Sequence, residues 1–365
     1  MKNLLFILTF LFVSTTAFGQ KYFNNNGGDN LWSNASNWNG GIPGANAKVI
    51  INKGNPIVDV AATCKMIQLA NNANISAVTT ITATGGNTLT ITGNGTNDGT
   101  IILNTHTTKT LKFDLPVVYS GTLAKNIRIY NENAGGATSA KIIFGSNSTF
   151  TYPDNKTMKL NVNQDDKGTK GVTFDGAISG GQLIIEQKAI VEFGANYDGS
   201  NQTGGILMNG NGSTLTVNTT SGTFLKAGEL ITTAYTSTGH SIIIADGAGD
   251  VFKGNIQQKK YNLNFTVNEN QSAIGTIKIG EQNLNLVVGD DVTSVAFADS
   301  SSETWHNLGK LVITGAQDNE VSIGTNASGL TADQLGKTTL NGSAVQISAN
   351  GEIAALNVVT TTFES

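Results

Sequence analysis

The sequence predicts an all-β chain: a single-stranded parallel β-solenoid of the right-handed β-helix type, with a cap at each end. Three observations point there. Short runs with an apolar residue at every second position recur from about residue 48 to 324, among them "TLTITG" from Thr88, "TLKFDL" from Thr110 and "NLNFTVN" from Asn262. This is the period of a half-buried strand, so Leu89 and Ile91 face inward while Thr88, Thr90 and Thr92 face out. Clusters of Gly, Asn, Asp and Ser, such as "GNGTNDG" and "NENAGGAT", separate the runs. They supply left-handed turn backbone at a strand spacing of roughly 8–12 residues. Finally, almost no helical periodicity interrupts the pattern, and no linker breaks it, which favours a one-dimensional stack.

Taken in order, residues 1–19 read as a secretory signal peptide. Lys2 forms the positive start, Leu4 to Val13 the apolar run, and Ala17-Phe18-Gly19 the cleavage cue. The apolar run is shorter than the about 20 residues needed to span a bilayer. The expected address is therefore outside the cytoplasm, at the cell surface or in the extracellular space.

Residues 20–47 read as the entry cap. A stack of coils exposes raw strand edges that pair with other chains unless covered. Trp32 and Trp38 lie six apart in Asn- and Gly-rich sequence just before the strand "AKVIIN". They are placed to fold over the first coil, the alternative being a carbohydrate-binding pair.

Residues 48–328 form the solenoid body. At about 4.8 Å per coil and roughly 20–25 residues per coil, it holds on the order of 12 coils. Asn residues at stacked turns are placed to bond amide to amide along the axis.

Residues 329–365 read as the exit cap. "LTADQLGK" is the one good short helix after the signal, with Thr331 as N-cap and Gln334 completing a Thr-x-x-Gln capping box. "SAVQISANGEI" follows as a closing hairpin, and Trp305 belongs to the same covering group.

The residues at both ends carry a resemblance. "FADSS" from Phe297, "GLTADQL" from Gly329 and "NGEI" from Asn350 resemble the C-terminal module of secreted autotransporter-like β-solenoid proteins of the Bacteroidetes type. "LWSNASNWNGGIPG" from Leu31 is similar to their opening, and "GVTFDGAISGGQLIIEQ" from Gly171 to their internal repeat. The resemblance implies an adhesin-like passenger at the surface or in the matrix, without a defined reaction.

The net charge of -4, with Arg128 the only arginine, argues against nucleic acid, which needs a basic face. It also leaves anionic ligands without Arg forks. Cys64, the only cysteine, excludes an intrachain disulfide and reads as a buried apolar filler.

His106, His240 and His306 lack partners at metal-ligand spacing. The acid pairs Asp165-Asp166 and Asp290-Asp291 read as solvated turn acids, with Glu186 and Glu192 as the remaining glycosidase candidates. Asp246 and Asp250 in "DGAGD" read as turn residues rather than a calcium site.

The sequence therefore offers no catalytic, cofactor or metal residues. The expected function is multivalent contact with surface or matrix polysaccharide, or with other copies of the chain, and no membrane span is expected. Two further readings compete: a polysaccharide-binding or polysaccharide-degrading β-helix, and an ice-binding solenoid presenting Thr82, Thr84, Thr88, Thr90 and Thr92.

Overall fold

A computed structural model describes residues 19–356 except 94–98, 124–125, 132–139, 163–170, 187, 211 and 235–238. The expected signal segment and the Asp165-Asp166 pair lie outside the described residues, Gly19 apart. The chain is a β-solenoid of about 11 turns with about 3% helix, close to the twelve expected.

Each turn lays one strand on each of three sheets. Val78–Ala83 lies in the second sheet, Leu89–Ile91 in the third and Gly99–Asn104 in the first, and Thr110–Asp114 then returns to the second. Thr110 stacks on Val78 in parallel register. The first sheet has 12 strands and the second 14. The third has six, from Ala62–Cys64 to Asn201–Gln202. It thins to a Leu225–Phe252 bridge and resumes as a three-stranded sheet beginning at Gln271–Ile274.

Inward positions build the core. Phe113, Phe144, Phe174 and Phe193 occupy one register position in successive coils of the second sheet. Their rings stack at 5.3, 4.9 and 5.8 Å between centroids. Each such pair adds about 0.5–1.5 kcal/mol beyond the area it buries. Phe224, Phe252, Phe265 and Phe297 continue the aromatic column edge to face.

Corners are tied by amides. Asn104 and Asn131, both fully buried, sit on adjacent coils. The Asn104 amide donates to the carbonyls of Lys109 and Lys141 at 2.9 and 3.0 Å. Asn131 does the same for Ala140 at 2.9 Å. Amide-to-amide bonds along the axis also occur, Asn285 to Asn264 at 2.9 Å and Asn52 to Asn24 at 3.1 Å. Elsewhere the corners bring backbone against backbone: a Cβ on Gly176 would lie 1.9 Å from the Ser148 carbonyl oxygen.

Parallel stacking starts earlier and ends later than the alternation alone indicates. Gln20–Phe23 already pairs in parallel with Lys48–Ile51, so the first coil lies inside residues 20–47. Thr338–Leu340 still pairs in parallel with Leu311–Thr314, beyond residue 328. The strands that close the edges are antiparallel: Trp38–Asn39 on Gln20–Phe23 at the entry, Ser343–Ile347 and Ile353–Ala355 at the exit.

Candidate functional site

The three tryptophans are buried, at 1%, 5% and 6% exposure for Trp32, Trp38 and Trp305, which removes them as an open sugar platform. The rings of Trp32 and Phe23 flank Trp38 edge to face at 4.8 and 4.9 Å. Asp29 braces this cluster by accepting from the Asn37 and Asn34 amides and the Leu31 N–H. Those bonds hold its carboxyl below the usual carboxylate range.

At the exit, the Trp305 indole N–H donates to the carbonyl of Ile277, in the last strand of the first sheet, at 3.0 Å. Thr331 and Gln334 form the reciprocal capping box of the helix Ala332–Gly336. Gln334 also reaches across: its amide donates to the carbonyls of Ser300 and Glu303 at 2.9 and 2.8 Å, fastening the helix to the loop that carries Trp305.

The candidate chemical residues do not converge. His106 is buried, its Nδ1 accepting from the Thr108 and Lys109 N–H groups. His240 is buried in the second sheet, and burial pushes its pKa down to about 4. His306 lies at the exit end, its Nδ1 accepting from Leu308 N–H. Glu186, after a first-sheet strand, meets Lys159 at 3.5 Å and Asn209 at 2.9 Å. Glu192 points outward from the second sheet toward Asn218 at 2.7 Å. Two acids on different sheets, each already partnered, do not flank one glycosidic bond.

Asp290 and Asp291 are exposed turn residues. Burial would raise the pKa of Asp250, but Lys253 and Ser272 together hold it below the usual value. Lys253 sits 2.6 Å away and Ser272 donates both its hydroxyl and its N–H. Cys64 is fully buried, which pushes its thiol pKa up and leaves it inert. Among the described residues no group of three His, Cys, Asp or Glu side chains could hold a metal ion, and no helix is long and apolar enough to cross a membrane.

What the stack does assemble is a surface. On the third sheet, Thr63, Thr90, Val118, Thr151, Ser179 and Asn201 fall in one register row over six coils. Two residues before Thr90, Val118, Thr151 and Ser179 lie Thr88, Pro116, Thr149 and Ala177, in a second row over four coils. The residues between and beneath them, including Leu89, Val117, Phe150 and Ile178, are fully buried. Of the five threonines singled out from the sequence, Thr88, Thr90 and Thr92 belong to this third face. Thr82 and Thr84 belong to the second sheet and the turn after it.

Further along the same side lies a groove of about 610 Å³, lined among others by Lys253, Ser272, Ala296, Asp299, Ser322 and Asn350. A smaller hollow of about 290 Å³, beside Lys259, Lys278, Glu281 and His306, opens at the end of the first sheet.

Comparison with family models, with curated proteins and with solved structures returned no match.

Proposed function

We propose that the protein is an exported structural or adhesin-like solenoid, acting by many weak contacts along a long face rather than by catalysis. The observation that carries this reading is the unbroken run of 14 hydrogen-bonded strands in the second sheet. Twelve of these strands, from Ile57–Val58 to Thr338–Leu340, stack in parallel, so successive coils present their outward side chains on one continuous face. Weak contacts held on one rigid scaffold act together, because each later contact forms at high effective concentration. The resemblance of both ends to autotransporter-like passengers supports the same reading, as does the scatter of the acids and histidines.

A second reading, binding of a linear polysaccharide, is supported by the groove beside Ser272 and Ser322. Its small and polar lining side chains, Ser272, Ala296, Ser322, Asp299 and Asn350 among them, suit an extended, hydroxyl-rich chain.

The test is to incubate the signal-free protein with whole cells and with insoluble polysaccharides. Retention and any released sugar are then measured. Saturable retention without sugar release is the expected result. Sugar release that is lost on Glu186→Gln or Glu192→Gln would replace this reading with an enzyme.

A further inference from the structure

We propose that the third face is an ice-adsorbing surface, one that binds ordered water rather than a polymer. The inference does not depend on the adhesive reading. It starts from where the charges are. Alongside these six coils the ion pairs lie on the other two sheets: Lys112 with Asp114 and Lys141 with Glu192 on the second, Lys159 with Glu186 at the first. On the third side itself an ion pair, Lys253 with Asp250, comes only beyond the face, where the sheet thins. The two rows of the third face, from Thr63 to Asn201, contain no charged side chain; Lys65, Asp114 and Asp175 sit two residues outside them. A charge held against a crystal of water gives up the mobile hydration that liquid water provides, so an uncharged face suits this occupant.

The geometry is periodic in two directions. Successive coils repeat at about 4.8 Å, and the two rows are about 6.6–6.8 Å apart, twice the rise per residue. The rows stay in register from Thr63 through Thr90, Val118 and Thr151 to Ser179. Threonine presents a methyl and a hydroxyl together, and its branched Cβ restricts χ1. Five of the ten row positions are threonine, Thr63, Thr90 and Thr151 in one row and Thr88 and Thr149 in the other, while Val118, Pro116 and Ala177 add flat apolar contact between them. The stiff side chains lose little freedom on adsorption.

Other occupants fit less well. Six coils span about 29 Å and a strand of five residues about 16 Å. Two copies packed face to face would bury roughly 900 Å² in total, below the ~1,200 Å² at which stable interfaces begin. A sugar chain usually stacks its apolar ring faces on aromatic side chains. The third-face rows hold none, since Tyr119 and Tyr152 on the same strands and turns are buried inward.

The experiment measures partition of the signal-free protein into a slowly growing ice hemisphere, together with the gap between its freezing and melting points. Thr90→Lys and Thr151→Lys place a charge in the row; Thr216→Lys places one on the second face. Circular dichroism confirms that each variant folds, and retention on polysaccharide is followed in parallel. The expected result is that the parent and Thr216→Lys enter the ice and show a freezing gap. Thr90→Lys and Thr151→Lys are excluded, with the gap reduced to that of buffer. Exclusion of the parent from ice overturns the proposal, whether or not a variant folds. So does equal partition of all folded variants. If the face variants lose polysaccharide retention while the parent ignores ice, the surface is a glycan site and the adhesive reading survives alone.

Discussion

The indole N–H of Trp38 donates to the backbone carbonyl of Trp32 at 2.8 Å, inside the first coil. One bond thus satisfies the polar edge of a buried ring and fixes the turn that carries the other tryptophan. The antiparallel strand Trp38–Asn39 then covers the edge of Gln20–Phe23. Covering and anchoring are done by the same residue.

Removing that residue uncovers the edge. Trp38→Ala and Trp305→Ala are each expected to lower stability by about 3–5 kcal/mol and to promote end-to-end association. Thr216→Ala, on an outward position, should do neither. Thermal melting with light scattering checks all three. Trp variants that stay monomeric and as stable as the parent would contradict the edge-covering role.

The exit cap gives an ordering of effects. Thr331→Ala loses one side-chain cap and should cost about 1 kcal/mol. Gln334→Ala loses the other half of the box and also the two bonds that fasten the helix to the Trp305 loop, at the Ser300 and Glu303 carbonyls. Each such hydrogen bond contributes about 1 kcal/mol net, so losing three makes Gln334→Ala the more damaging. Chemical denaturation of both variants tests the order.

Phe144 sits between Phe113 and Phe174 in the stacked column. Phe144→Ala should cost about 3–5 kcal/mol, and Phe144→Leu less, because the cavity left behind is smaller. Both variants should keep the parent's far-ultraviolet circular dichroism, since the strand ladder itself is intact.

How much of this was legible beforehand follows from the kind of signal each feature leaves. Alternation in "TLTITG" marks Leu89 and Ile91 as inward because side-chain direction is local. The capping box is equally local, three residues from Thr331 to Gln334. Coil register is not. Thr110 stacks on Val78, whereas Ile190 stacks on Gly171 after far fewer residues. With turns of such different length, no fixed period shows, and the row from Thr63 to Asn201 is invisible until the coils are wound. The strand Gln20–Phe23 leaves little trace in the sequence for a related reason: four residues carry too little alternation, and its partner Lys48–Ile51 is distant in the chain. The second role of Gln334, reaching Ser300 and Glu303, depends likewise on a contact between distant segments.

Acidification should destabilise the protein in two stages. His240 is neutral when buried, with a folded pKa of about 4 against 6.5 when free. A His whose folded pKa is depressed contributes stability that is full above the free value and is lost as pH falls from 6.5 toward 4. The loss is roughly 3 kcal/mol. Burial lowers His106 in the same direction. Asp29, held down by Asn37 and Asn34, and Asp299, held down by Ser301, add a second loss below the ordinary value of 3.8. Melting temperature measured from pH 7.5 to 3 should fall through both ranges. His240→Leu should flatten the first, and an unchanged slope in that variant would show that His240 is not responsible.

The central claim is that contact is distributed along the stack rather than concentrated at one site. Because Ile190 occupies the register of Gly171 one coil on, deleting residues 171–189 removes a single coil and leaves the neighbouring strands able to pair. The decisive measurement is retention of the parent, the one-coil deletion and a two-coil deletion, residues 171–213, on the same cells or matrix, with folding confirmed by circular dichroism. The account predicts that apparent affinity falls stepwise with each coil removed, as multivalent binding requires. Undiminished retention after both deletions, combined with complete loss on a single substitution elsewhere, would contradict it and place the activity at one discrete site.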